Sequence, residues 1–555
     1  MTPEQYECCP GEVRMNISTT EAHKIERPDV VSPRSGGRRS SAPASHADGL
    51  LFQRQADRNQ AEGVPEPDFF HDLNLDQLFL NIHATRQEYE LPSFFRIPLR
   101  EREAIIFRQE IMRDLEKPEI RGIIDSFSQY MRDVRAYQAM VEKMYYEHQK
   151  NAWTLDLVSA YCKAVQSFAE KFEGTNIASR GLRAFGAYLA EYSADPSFTA
   201  LAEEAASIKQ ALATVKYSVT IKAGTVTVQK YDDEPDYTQE VQATFEKFRQ
   251  GAVKDYRIEI KDNDMMNSVE ERILGLVAIL YKDIFSHLSR FCTQNADCIS
   301  ERIKAFDREV QFYTGYLDYI DPLRKAGLEF CYPVVSETSK AVLADDCFDL
   351  PLAQKLTGQK TPVVTNSFQL SGKERIFIVS GPNQGGKTTF ARTFGQLHYL
   401  ASLGLPVPGK KAELFLPDRI FTHFEKEESP DSLRGKLEDD LFRIHAILQK
   451  ATPDSIVIMN EIFNSTMLRD EIFLSKQVLK HMEELDLLCV CVTFIDELAS
   501  LSEKTVGMVS TVNPDNPAER TYKLVRAKGN GLAYALSIAE KYGLTYNQLK
   551  TRMKP

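Results

Sequence analysis

Arg375-Ile-Phe-Ile-Val-Ser-Gly-Pro-Asn-Gln-Gly-Gly-Lys-Thr-Thr389 is the stretch whose reading decides the fold. Ile376 to Val379 is a short apolar run rich in β-branched residues, which predicts a buried strand. Gly381-Pro-Asn-Gln-Gly-Gly-Lys387-Thr388 satisfies G-x-x-x-x-G-K-[ST] at every fixed position, and Phe390 to Leu400 follows with helix-compatible spacing. Strand, glycine loop and helix, in that order, is the context the pattern requires. The glycines let successive backbone N–H groups turn towards phosphate oxygens with no Cβ in the way, and the helix N-terminus adds its dipole. Lys387 is expected to bridge the outer phosphates, and Thr388 to hold Mg²⁺ through its hydroxyl. Gly381, Pro382, Asn383, Gln384, Gly385, Gly386, Lys387, Thr388 and Thr389 are therefore the predicted cradle of a nucleoside triphosphate. A glycine turn before a surface helix is the plain alternative, and a full match in this context argues against it.

A second apolar run, Ile456-Val-Ile-Met459, ends in Asn460-Glu461. In a parallel sheet ligands bind beyond the carboxyl ends of the strands, which is where these two polar residues fall. A glutamate there can orient or deprotonate an attacking water, so Glu461 is the candidate general base beside Lys387. Asn460 can accept a hydrogen bond from a metal-bound water but brings no negative charge. Thr388 and Asn460 are the predicted metal-holding pair, and weak hydrolysis is the expected consequence.

Reading outward, 555 residues are too many for one core and suggest about three units. A net charge of −11 argues against a protein that coats nucleic acid, while leaving room for a local basic face. No apolar run is long enough to span a bilayer, and the first thirty residues lack the pattern of a secretory leader, so a cytoplasmic protein without membrane contact is expected. The nine cysteines lack metal-ligand spacing and suit reduced thiols; Cys489 and Cys491 point to one face of a strand, as core filling.

Residues 1–67 are expected to form a disordered tail, because Arg27 to Ala47 is dense in Ser, Pro, Arg and Gly. Residues 68–329 are expected to be a mainly helical core or lever. Ile120, Ile123, Ile124, Phe127, Met131, Val134, Tyr137, Val141 and Met144 fall on one stripe, and a second long helical region is predicted from Ile273 to about Tyr319. Between them, Tyr217 to Gln229 alternates with period two around Ala223-Gly224 and predicts a hairpin inside a tip of about 215–267. From residue 330 to 555 strand and helix alternate, with a helix expected over Asp431 to Lys450 on the stripe Leu433, Leu437, Leu441, Ile444 and Leu448 and further helices near Ala533 and Thr545, which implies a mostly parallel sheet with helices on both faces. The predicted fold class is thus an α/β P-loop ATPase domain preceded by a mainly α-helical lever or clamp with a small β segment.

Together these motifs resemble the ATPase half of the MutS family of DNA mismatch-repair proteins, within the wider ABC class. The resemblance is carried by Tyr332-Pro-Val-Val, the glycine loop, Leu405-Pro-Val-Pro, Asp418-Arg-Ile-Phe-Thr, Ile458-Met-Asn-Glu-Ile, Thr493-Phe-Ile-Asp-Glu-Leu and Gly531-Leu-Ala-Tyr-Ala-Leu. It implies ATP and Mg²⁺ as ligands, a homodimer closing over two nucleotides, and a signature segment reaching the partner's nucleotide. By position that segment is Leu433 to Leu441, with Arg434, Gly435 and Lys436 at its start. The family's signature serine falls at Gly435, and its histidine after the last core strand falls at Phe494. The mismatch-reading domain of the repair enzymes has no counterpart in the order expected here.

The resemblance therefore implies an ATP-dependent DNA clamp in repair or recombination that recognises a DNA shape or junction, with Lys222, Lys230, Lys247, Arg249, Lys254 and Arg257 as candidate phosphate contacts. An ATP-gated scaffold that does not bind DNA is the alternative favoured by the acidic balance. A kinase or GTPase fits less well, since no Asn-Lys-x-Asp guanine-reading motif follows the loop.

Overall fold

A computed structural model describes residues 7–9, 12–16, 49–51, 64–222, 225–233, 266–425, 435–513, 516–527, 546 and 550. The chain divides into two compact units. One comprises Met1–His46, Glu119–Asn176 and Phe185–Lys304; the other comprises Ala47–Pro118, Ile177–Ala184 and Ala305–Pro555.

The first unit is mainly helical. In the helix Pro118–Lys143, Ile120, Ile124, Phe127, Met131 and Val134 of the predicted stripe are buried while Ile123, Tyr137 and Val141 are half-buried, and Phe127 stacks on Phe168 of the helix Glu147–Phe172 with ring centroids 4.2 Å apart. Asp195 caps the helix Pro196–Ala213 by accepting from the Ser197 N–H, and a reciprocal Asn267/Glu270 capping box opens Ser268–Leu280. Such caps satisfy amide groups that have no partner inside the helix.

The predicted hairpin is present: Tyr217–Lys222 pairs antiparallel with Thr225–Lys230. On the other edge of Thr225–Lys230 lies Glu12–Asn16, with Val13 opposite Val228 and Met15 opposite Val226, and Glu7–Cys9 completes a four-stranded sheet. Val226 and Val228 are fully buried against Leu276 and Val277. This corrects the expected disordered tail at 7–16. Val13 and Met15 alternate with polar neighbours at the period of a strand, a signal overwhelmed by the composition of the long stretch around it.

The second predicted helical region is also interrupted. Ser268–Leu280, Lys282–Gln294 and Glu301–Lys325 are separate helices, because Tyr281 (φ −117°, ψ 42°) and Asn295 (φ −117°, ψ 24°) leave helical geometry. The third of these belongs almost wholly to the other unit.

At the centre of that second unit is a six-stranded sheet. Its spatial order is Ile420–His423, Ile456–Asn460, Leu488–Val492, Ile376–Ser380, Thr505–Asn513, Asn516–Arg526. The first five strands are parallel and the last is antiparallel. Side chains alternate across it as period two requires. Ile376, Ile378, Val457, Met459, Cys489 and Cys491 share one core with Val478, Leu479 and Met482 of the helix Leu468–Leu485. Phe377 instead packs edge-on against Phe390 and Phe394 of the helix Lys387–Ser402, at 5.7 and 6.0 Å. A second sheet orders Val334–Ser336, Lys411–Phe415, Val342–Cys347 and Asn366–Leu370.

This unit reaches well N-terminal of residue 330, where the sequence alternation starts. Tyr399 donates to Phe95 O, Gln396 to Leu73 O and Tyr316 to Pro406 O. Buried Arg108 donates to both Leu403 O and Leu51 O. Glu309, also buried, accepts from the N–H groups of Leu50 and Leu51. Residues 49–51 are therefore held in place, a second departure from the expected tail. The helix expected over 431–450 is seen as Lys436–Lys450, with 426–434 outside the described residues, as are the helices expected near Ala533 and Thr545. Among the described residues no helix is long and apolar enough to cross a membrane, and no group of His, Cys, Asp and Glu could hold a metal ion by itself.

Candidate nucleotide site

The glycine loop leaves the central strand Ile376–Ser380 at its carboxyl end and turns into the helix Lys387–Ser402. Gly381 (φ +123°) and Gly386 (φ +92°) occupy backbone conformations that an L side chain rarely adopts, and Gln384 (φ +57°) sits in the left-handed region between them. Gly386 caps the helix, and its carbonyl accepts the first turn's bond from Phe390 N–H at 2.9 Å. Thr388 and Thr389 lie in that first turn.

Three side chains that no motif singled out brace the loop. Ser510, fully buried on Thr505–Asn513, donates from Oγ to Gly385 O at 2.6 Å. Arg520 Nε donates to Asn383 O at 3.2 Å. Asn366 Nδ2 donates to Tyr522 O, and its Oδ1 accepts from Leu524 N–H, which fixes the strand Asn516–Arg526. Tyr522 backbone atoms in turn lie 3.8 Å from where a Cβ on Gly386 would stand. Only the sheet order brings these residues to the loop, so sequence carried no local signal for them.

Lys387 is 5% exposed and donates to Gly381 O at 2.9 Å and Pro382 O at 3.4 Å. Its pKa is pushed below the ordinary lysine value by burial; Glu461 opposes that shift, Arg520 adds to it and Asp496 opposes it. Thr388 Oγ1 donates to Asn460 Oδ1 at 2.9 Å, joining the predicted metal pair across two elements. Glu461 follows Asn460 in the left-handed region (φ +55°), with its N–H on Val492 O at 2.9 Å. A non-glycine residue there costs of order 1–3 kcal/mol, and such strain is characteristic of functional sites. Glu471, at the start of Leu468–Leu485, has its pKa raised by burial and then by the Glu461 charge. Thr388 at the end of the loop and Asn460, followed by Glu461, are thus joined by a hydrogen bond.

The fit to a magnesium nucleotide rests on these donors and acceptors. The loop offers a glycine-lined backbone and a buried ammonium, and the Thr388 hydroxyl and Asn460 amide oxygen are neutral oxygen ligands of the kind Mg²⁺ takes beside phosphate.

Arg434 lies outside the described residues. Gly435 is the N-cap of Lys436–Lys450, with open space where a Cβ would be. Lys436 forms an ion pair with Glu425. The same helix turns Asp440 inward, where its Oδ1 lies 3.3 Å from Nε2 of buried His423, while Arg443 donates twice to Phe424 O at 3.1 Å. Of the tip lysines, Lys230 has its ammonium 5.2 Å from the Tyr281 ring centroid, and Lys247, Arg249, Lys254 and Arg257 lie outside the described residues.

Residues 377–550 match MutS domain V. This part of the chain is similar to the MutS family. It is 33% identical over 189 residues to the endonuclease MutS2 of Thermus thermophilus, covering 34% of this chain and 25% of that protein. To a DNA mismatch repair protein MutS of Chlorobium phaeobacteroides it is 24% identical over 320 residues, 56% of this chain and 34% of the relative. To the mouse DNA mismatch repair protein Msh3 it is 28% identical over 152 residues, 27% of this chain and 14% of the relative. The chain therefore spans a third or less of the length of these MutS relatives.

Proposed function

We propose that this MutS-like chain is an ATP-dependent clamp: a P-loop ATPase of the ABC type whose two copies close over ATP and whose helical unit, acting as a lever, engages DNA. The observation that carries this reading is the Thr388–Asn460 hydrogen bond beside Lys387, which joins the glycine loop to the strand end bearing Glu461. In the proposed reaction the loop amides orient the phosphates and Lys387 bonds the outer phosphate oxygens. Thr388 and Asn460 would hold Mg²⁺, which would supply charge neutralisation at the phosphates. Glu461 accepts the proton of the attacking water. Asn460 adds no charge to the metal site, so turnover is slow.

Dimerisation is supported by exposed apolar residues near this end of the sheet, Phe442, Met467, Leu468 and Phe473, at 56 to 78% exposure. DNA engagement draws its support from the family and from Lys222 and Lys230 on the hairpin. The alternative, an ATP-gated scaffold, draws support from the edge strand Tyr217–Lys222, where Tyr217, Val219 and Ile221 are exposed on one face, suited to a protein partner.

ATP turnover and solution mass of the full chain, beside Lys387→Ala, test the engine. Loss of turnover in the variant and an ATP-dependent dimer are expected; turnover that survives the substitution refutes the site. Titration of duplex, junction and single-stranded DNA at two salt concentrations, with and without ATP, tests the clamp. Nucleotide-sensitive binding that weakens with salt is expected; no binding to any of them selects the scaffold.

A further inference from the structure

The ammonium of Lys387 has an aromatic neighbour that the glycine-loop pattern does not call for. Phe494 stands two residues beyond the strand Leu488–Val492, and its ring centroid lies 3.9 Å from Lys387 Nζ. Lys387 is buried, whereas Phe494 is 49% exposed. A phenylalanine half in water gains little from burial, so its position is not explained by the core. It is explained by the cation: a ring face attracts an ammonium most strongly where water is excluded, and the carbonyls of Gly381 and Pro382 shield this one from the other side.

An ammonium has three N–H donors. Two approach Gly381 O and Pro382 O, and the remaining approach is the one that the ring covers. A phosphate oxygen that bonds Lys387 from that direction must replace the ring. Resting on the nucleotide reading above, we propose that Phe494 is a cover on Lys387 that competes with the outer phosphate oxygens of a bound nucleotide and so sets how tightly the site holds them. Its side chain supplies no proton and no hydrogen bond; it acts through the ammonium alone.

The test uses the full chain and the affinities of ATP and ADP, measured in the presence of Mg²⁺ for wild type, Phe494→Leu, Phe494→Tyr and Lys387→Ala. Leucine removes the π face and keeps an apolar group. Its affinities for ATP and ADP are both expected to rise about five-fold, the scale of a partly exposed cation–π contact, because the ammonium meets the outer phosphate of either nucleotide. Tyrosine, which keeps the ring, is expected to match wild type. Unchanged or weaker binding of either nucleotide by Phe494→Leu overturns the proposal. If wild type binds ATP no better than Lys387→Ala, the nucleotide reading itself has failed and the cover falls with it; if wild type binds well and Phe494→Leu is indifferent, only the cover fails.

Discussion

Alanine at Gly385 has a cost that can be worked out from the loop. A Cβ there collides with Ser510 Oγ and stands 2.9 Å from Pro382 O and 3.1 Å from Ser510 Cβ. Ser510 is fully buried, and turning its hydroxyl aside breaks the 2.6 Å bond to Gly385 O. The lost bond is worth about 1 kcal/mol, and overpacking a filled site adds roughly 1–3 kcal/mol. The sum, about 2–4 kcal/mol, corresponds to a nucleotide affinity roughly 30-fold to several-hundred-fold weaker. Ser510→Ala alone forfeits only the hydrogen bond and should weaken binding about five-fold. Replacing Ser510 by glycine in the Gly385→Ala chain removes both Ser510 atoms from the collision and leaves only Pro382 O. The double variant should therefore bind better than Gly385→Ala, a coupling expected of residues in direct contact. Titration of a fluorescent ATP analogue, with thermal melting to confirm folding, measures wild type, Gly385→Ala, Ser510→Gly and the double variant, the four corners of the cycle. A Gly385→Ala chain that binds like wild type, or a double variant no better than Gly385→Ala, refutes the account of Ser510 as the brace of the loop.

Glu461→Gln should lower kcat by about 100-fold or more while leaving ATP affinity within about three-fold, since a general base acts in the transition state; single-turnover hydrolysis and a binding titration separate the two. Asn460→Asp should lower the Mg²⁺ concentration for half-maximal turnover, because a carboxylate in place of the Thr388-bonded amide adds charge to the ion's ligand set; a magnesium titration of the ATPase rate decides. Gly49→Val should destabilise the chain by about 2–4 kcal/mol, seen as a lower denaturant midpoint, because its Cβ would stand 2.7 Å from Glu309 Oε2 in a buried contact. Asp349 is buried and its pKa is pushed up to about 6, mainly by desolvation and against its bonds to Leu352 N–H and Gln396. The folded state then holds the proton more tightly than the unfolded one, so the Asp349 contribution is complete below about pH 4 and is lost as pH rises through about 6. Asp349→Asn should remove roughly 2–3 kcal/mol of that pH dependence, read as a flatter stability profile between pH 4 and 7 than that of wild type.

The glycine-loop end of the fold was legible because its information is local. A β-branched run, a glycine loop and a helix follow one another within 27 residues, from Ile376 to Ser402, and the strand ending in Asn460-Glu461 is equally compact. The alternation of Cys489 and Cys491 identified them correctly as core residues for the same reason. Ser510, Arg520 and Asn366 were illegible because they reach the loop only through strand order, and strand order is set by long-range pairing. Glu12–Asn16 was missed because a five-residue strand carries little signal until its partner, the open edge of Thr225–Lys230, is known. Asp440 shows a further limit: helical periodicity put Leu441 on the core stripe, yet Leu441 is 40% exposed and Asp440 turns inward to His423. The pattern of apolar residues cannot anticipate a buried polar pair that draws the helix round by one position.

The two compact units interleave along the sequence, so the backbone passes from one to the other five times, at 46/47, 118/119, 176/177, 184/185 and 304/305. A fragment starting at the glycine-loop strand would strip Tyr399, Gln396 and Leu403 of their partners Phe95, Leu73 and Arg108 and leave buried polar groups bare. The sheet that carries the phosphate loop is consequently no detachable cassette: a single protease nick cannot free it, and a rearrangement begun at Lys387 has five covalent routes into the helical unit.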